Sequence, residues 1–239
     1  MMNDREADPF SVLATPDETW TKGRGELWHD AIKAFDPTAP EPLIRLLRNP
    51  CSVTAMSGLY IFGELGRKAS GALGAALAWH QHPSEAARAN LLQGVNDCWR
   101  DLTARQLSQI LPLLTDDSYL VRQKMLTVLV SVDTSLIESA IGLIECEEER
   151  SQHLSGFMCL RDPKLDVQSA FEEALSSDRL MSAYLMANIL RRARFDEDAP
   201  VPKYDGSADF PKSVVDSVKV MKDRARRRRV RRGKRDKRE

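Results

Sequence analysis

Between residues 42 and 190 apolar side chains recur at steps of three and four, and they do so in paired blocks. Each block is an apolar helix, a short polar or proline-containing break, and a second helix of the same period. Five copies read "PLIRLLRNPCSVTAMSGLYIFGEL" from Pro42, "GALGAALAWHQHPSEAARANLLQGV" from Gly71, "QLSQILPLLTDDSYLVRQKMLTVLV" from Gln106, "LIESAIGLIECEEERSQHLSGFMCL" from Leu136 and "VQSAFEEALSSDRLMSAYLMANIL" from Val167. Their breaks lie near Asn49, His82, Asp116, Glu147 and Ser177, a step of roughly 30 to 35 residues, at or slightly below the period of helix-pair arrays.

The breaks carry helix-starting chemistry. Asp116, Asp117 or Ser118 can accept the free backbone N–H groups opening the second helix of the third copy, with Leu120, Val121, Met125 and Leu126 as its buried stripe. Pro83 and Ser84 stand in that place in the second copy, and Ser177 and Asp178 in the fifth. Strand signals are nearly absent: the Asp205–Gly206 pair sits in a polar linker, not between alternating apolar runs. The body is therefore expected to be all-α.

Outside the blocks, residues 1–19 read as irregular, and "TKGRGELWHDAIKAF" over 21–35 reads as a helix with Leu27, Trp28, Ile32 and Phe35 on its apolar side, capping the first pair. After Arg194 the text turns acidic and proline-containing. Pro211 then opens a last helix with Val214, Val218, Met221 and Ala225 at helical spacing, broadened by Val215. The Arg-rich run beyond Arg224 is expected to be solvated or frayed by its own repulsion. The resulting organisation is 1–40 irregular N-terminus and capping helix, 41–194 repeat array, 195–210 acidic linker, and 211–239 basic C-terminal helix or tail.

"LLTDDSYLVRQKMLTVLVSV" resembles a HEAT repeat, whose second helix opens with Asp, a Val-Arg pair and then small or apolar residues; Asp117, Val121 and Arg122 stand in those places. Ala87 and Arg88 hold the pair in the second copy, and "FGELGRKAS" resembles the Leu-Gly that often closes a HEAT unit. In the fourth and fifth copies the signature is broken, with Arg150 too early and Arg179 a loose match. The resemblance implies an α-solenoid of about five HEAT-like helix pairs and, since such arrays are mostly binding surfaces, says little about activity.

Charge adds a polarity to this picture. The chain of 239 residues has a formal net charge of zero, yet the segment from Lys219 onward holds 13 Lys or Arg against Asp223, Asp236 and Glu239. That leaves residues 1–218 at −10. The first residues lack a signal-peptide pattern and no run approaches a membrane span, so a cytoplasmic protein without membrane contact is expected. Cys51, Cys98, Cys146 and Cys159 form no Cys-x-x-Cys pair and read as buried thiols. Cys146, His153 and Cys159, with Glu147, Glu148 and Glu149 alongside, match no recurring zinc spacing.

Catalytic chemistry has little support. The four histidines accompany no nucleophile elbow or phosphate loop, and no cofactor is expected. Certain alkylpurine DNA glycosylases are built of HEAT-like repeats with Trp side chains and a carboxylate on a concave basic face, and Trp20, Trp28, Trp79 and Trp99, with Arg100 and Asp101 after the last, superficially supply such parts. A body at −10 opposes the phosphate attraction this needs. The reading carried forward is a non-enzymatic protein-binding module, of the toxin-neutralising (immunity) or adaptor kind, gripping a protein partner, possibly a basic one, through Asp116, Asp117, Arg122, Glu147, Glu148 and Glu149. The first alternative is nucleic-acid binding through Arg224, Arg226, Arg227, Arg228, Arg229, Arg231 and Arg232; the second is the glycosylase-like enzyme.

Overall fold

The structure, a computed structural model, describes residues 8–15, 23–206 and 208–235, and among them every regular element is a helix. The helices of the five expected copies occur in chain order: α3 (Glu41–Leu47) and α4 (Ser52–Leu65), α5 (Leu73–Ala76) and α6 (Glu85–Asp97), α7 (Ala104–Ile110) and α8 (Tyr119–Ser131), α9 (Thr134–Ile141) and α10 (Glu147–Arg161), and α11 (Val167–Ser176) and α12 (Arg179–Phe195). Two short helices, α1 (Pro9–Leu13) and α2 (Arg24–Ala34), precede them, and α13 (Asp209–Arg235) follows. The array expected to be continuous divides into two compact units, with the boundary between Ile110 and Leu111, inside the third pair.

In the first unit, α1 replaces the irregular start expected there. Asp8 accepts the Phe10 and Ser11 N–H groups at its N-terminus, and Thr54 of α4 donates to its last carbonyl, Leu13 O, at 3.1 Å. The capping helix α2 buries Leu27 and Ala31, and its Trp28 ring lies 4.2 Å from that of Tyr60 on α4. The Leu65–Gly66 pair does close α4: Gly66 has φ +54°, a conformation that only glycine adopts without strain. The second helices α4 and α6 pack against each other, with Phe62 of α4 lying against the backbone at Gly94.

In the second unit α12 is the hub. It packs on α8, α10, α11 and α13, and each residue from Ala183 to Leu190 is buried. A helix buried all round sits inside a bundle rather than on its surface. In a strictly sequential stack α10 would separate α8 from α12; here α12 touches both. Its polar side chains close the ends of its neighbours: Asn188 Nδ2 donates to Cys159 O, Leu160 O and Asp162 O at 2.9 to 3.1 Å, Arg194 donates to Val130 O at 3.2 Å, and Arg191 bonds Val132 O. All lie in the last turn of α10 or α8 or just beyond it, where carbonyls lack helical partners, although Cys159 O also accepts the Asp162 N–H.

One arginine recurs at the fourth position of three second helices. Arg88 donates to His82 O at 2.7 Å and Pro83 O at 3.0 Å, Arg122 to Asp116 O at 2.5 Å and Asp117 O at 2.8 Å, and Arg150 to Ile144 O at 3.1 Å. Each reaches back six residues to tie the turn to the helix that follows it. Arg150, which the sequence places too early after a break near Glu147, falls at the fourth position because the turn ends at Cys146 and α10 already opens at Glu147. The Arg150→Leu variant is expected to lose about 1 kcal/mol, since a charged donor to one partly buried carbonyl is removed. A urea midpoint equal to the parent's would show the tie to contribute nothing.

The cysteines are less buried than expected. Only Cys98 is buried, donating to Gly66 O at 3.4 Å, with its thiol pushed up to about 12 by burial. Cys51 and Cys146 are exposed because they are the N-caps of α4 and α10, at turn positions. At the Arg-rich end α13 is helical through Arg235, and Arg224, Arg226 and Arg227 are exposed to solvent.

Candidate functional site

The candidate residues fall at the turn before α8 and at the start of α10, both in the second unit. Ser118 caps α8, accepting Val121 N–H, while Asp116 accepts Ser118 N–H at 2.8 Å. This leaves the next carboxylate, Asp117, pointing outward and 99% exposed, where Arg179 of α12 meets it at 2.8 Å. Arg179 also donates to Thr115 O at 3.2 Å, so the first residue of the fifth pair's second helix is fastened to the turn of the third pair. Burial lowers the Arg122 guanidinium from its ordinary range, with Arg179 nearby as a lesser cause.

Glu147, Glu148 and Glu149 lie not in a turn but in the first turn of α10, where carboxylates complement the helix dipole. Glu147 and Glu148 are exposed and Glu149 is half-buried. One turn on, His153 is only 2% exposed. Its Nδ1 bonds the hydroxyl of Tyr184 on α12 at 2.9 Å, and its Nε2 faces the Glu149 carboxylate at 3.9 Å. Burial lowers His153 to about 4, so at neutral pH the imidazole is uncharged despite the carboxylate beside it. Burial also raises the Tyr184 phenol above its ordinary value.

Between these two turns opens a cleft of 730 Å³, lined by Pro112 and Thr115 on one side, Glu149, Gln152 and His153 on another, and Asp178 to Met181 at the start of α12. Asp178 is itself the α12 cap, accepting Met181 N–H at 2.9 Å. Of the carboxylates, Glu149 and Asp178 line the cleft; Asp117 is connected to it only through its partner Arg179, and Glu147 and Glu148 are not part of the lining. Arg122 is not on it: that side chain lines a separate cavity of 190 Å³ with Leu114, Met186 and Pro211, and serves the turn. Arg179, His153 and Tyr184 are the residues that sequence reasoning missed here. The Glu149 to His153 spacing of four was a legible signal; the contact with Tyr184, 31 residues away, was not.

Among the described residues no group of three or more His, Cys, Asp or Glu side chains is placed to hold a metal ion, so Cys146, His153 and Cys159 do not assemble. The tryptophans have packing partners: Trp79 Nε1 donates to Leu47 O at 3.0 Å, and Arg100 lies 4.7 Å over the Trp99 ring. Trp20 lies outside the described residues. Of the basic tail, Arg224, Arg226 and Arg227 are exposed, with Arg227 paired to Asp223 at 2.6 Å; the side chains of Arg228, Arg229, Arg231 and Arg232 lie outside the described residues. No described helix is long and apolar enough to cross a membrane. No protein-family model, curated protein or solved structure matches the chain.

Proposed function

We propose that the protein is a non-enzymatic binding module of HEAT-like helix pairs, of the adaptor or toxin-neutralising kind, that grips a basic protein partner at the cleft between the α7–α8 turn and the start of α10. The observation that carries this reading is the cleft lining: Glu149 and Asp178, carboxylates from separate pairs, face one opening of 730 Å³, and the exposed Glu147 and Glu148 precede Glu149 in the first turn of α10. Acid held on rigid elements raises association rates with a basic surface and costs little ordering on binding. The HEAT-like part of the reading is supported by Arg88, Arg122 and Arg150, which do one job at one position in three successive pairs.

The test is capture of partners from the native host by the full chain, followed by titration of the captured protein. Glu147→Lys with Glu148→Lys is expected to weaken that complex at least about tenfold, chiefly through a slower on-rate at low salt. These two side chains are exposed, so the fold is kept. A partner of acidic surface, or an unchanged affinity, would overturn the cleft as the gripping face.

A further inference from the structure

The last helix does not end where its support ends. Pro211, near the start of α13, shares a cavity with Ala183 and Met186 of α12, and Ala225 shares another, of 330 Å³, with Phe195, Asp196, Glu197 and Asp198 at the far end of α12. The two helices therefore run parallel, joined by the buried Val214, Val215 and Val218. Helix α12 stops at Phe195, level with Ala225, whereas α13 continues to Arg235. Ten residues, about 15 Å of helix at ~1.5 Å per residue, extend past it. Among the described elements only α12 packs substantially on α13.

Eight of the ten residues from 226 to 235 are Arg or Lys, and none is acidic. Positions 227 and 231, 228 and 232, and 231 and 235 put like charges four apart, each such pair opposing helix formation. Val230 is the only large apolar residue in the run, so the segment has no apolar face with which to lie in a bilayer surface. A polyanion with charge on both sides of the helix, as phosphates flank a nucleic-acid groove, relieves this repulsion from every direction. At the base of the overhang the fold sets three carboxylates, Asp196, Glu197 and Asp198, around the cavity that Ala225 lines. Their charge competes with phosphate for the adjoining arginines.

We propose that residues 226–235 form a projecting arm that binds duplex nucleic acid through its phosphates, and that the Asp196–Glu197–Asp198 loop at its base restrains that binding. The surface is distinct from the acidic cleft and does not depend on it.

Titration of the full chain against a fluorescent duplex of about 20 base pairs over a salt series is the test, with log K expected to fall by about 0.9 per unit of log salt for each phosphate engaged. The variant D196N/E197Q/D198N is expected to bind about tenfold tighter, and R226Q/R227Q/R228Q/R229Q to lose the salt-dependent binding. E41Q/E64Q/E85Q removes the same net charge from exposed positions in the first unit and is expected to shift affinity less than about twofold. Equal tightening by that control would overturn the restraint. Failure of the acid-loop variant to bind duplex at about 50 mM salt, or its binding to phosphatidylserine vesicles but not to duplex, would overturn the arm.

Discussion

Alanine at position 156 is expected to destabilise the second unit by about 3 kcal/mol, the upper range for an added methyl group that a packed interface cannot accept. A Cβ there would lie 2.2 Å from Cδ2 of Tyr184 and 2.7 Å from its Cγ, and the ring cannot retreat because Tyr184 is fully buried with its hydroxyl held by His153. The missing side chain of Gly156 is what lets α10 and α12 approach closely enough for that bond. All four tryptophans precede residue 110, so indole fluorescence reports on the first unit, and the loss should be read from hydrogen exchange of α10 and α12 amides. In a Tyr184→Ala background the same change should cost less than about 1 kcal/mol, because the ring it strikes is gone. Equal costs in both backgrounds would show that the clash is not the cause. Gly74→Ala, where a Cβ meets nothing within 4 Å, serves as the neutral control, gaining up to about 1 kcal/mol from helix propensity.

Acid is the second large perturbation. His153 titrates near 4 in the folded chain and near ~6.5 when unfolded. Between these values the unfolded chain takes up a proton that the folded chain refuses, so this group makes stability fall as pH falls from about 7 to 4 and leaves it level outside that window. The integrated loss is about 3 kcal/mol, at ~1.4 kcal/mol per pH unit of displacement. Glu149, 3.9 Å away, favours the charged imidazole, but its side chain is 43% exposed and solvent screens it. A His153→Gln variant should be weaker than the parent at pH 7 and show a shallower decline toward pH 4.5. Parallel decline in both proteins, measured by urea unfolding at each pH, would remove His153 as the source and leave the carboxylates.

The helix pairs were readable from sequence because each buries one face, and a 3.6-residue period records that directly. The caps were readable for the same local reason: Ser118 and Asp178 accept the N–H groups expected of them, although Ser84 makes no such bond. What escaped was long-range. The run from Ala183 to Leu190 has only Asn188 as a strongly polar member, a pattern that fits burial on all sides as well as a single apolar stripe. Arg191, Arg192 and Arg194 carry no sequence signal of their partners, which are carbonyls at the end of α8 and in the segment before α11. Periodicity states which side of a helix is covered and is silent on which helix covers it. The cleft follows the same division: Glu149 is legible as a candidate and Asp178 as a cap, whereas the pairing of Arg179 with Asp117 across 62 residues is not.

The position of α12 also constrains how the chain can be made. The ends of α8 and α10 wait for Asn188, Arg191 and Arg194 to satisfy their carbonyls, and those residues leave the ribosome after every other helix of the second unit except α13. Pairs that stack only on their predecessor can set one by one during synthesis; here the second unit stays incomplete until its penultimate helix arrives, and then closes as a whole.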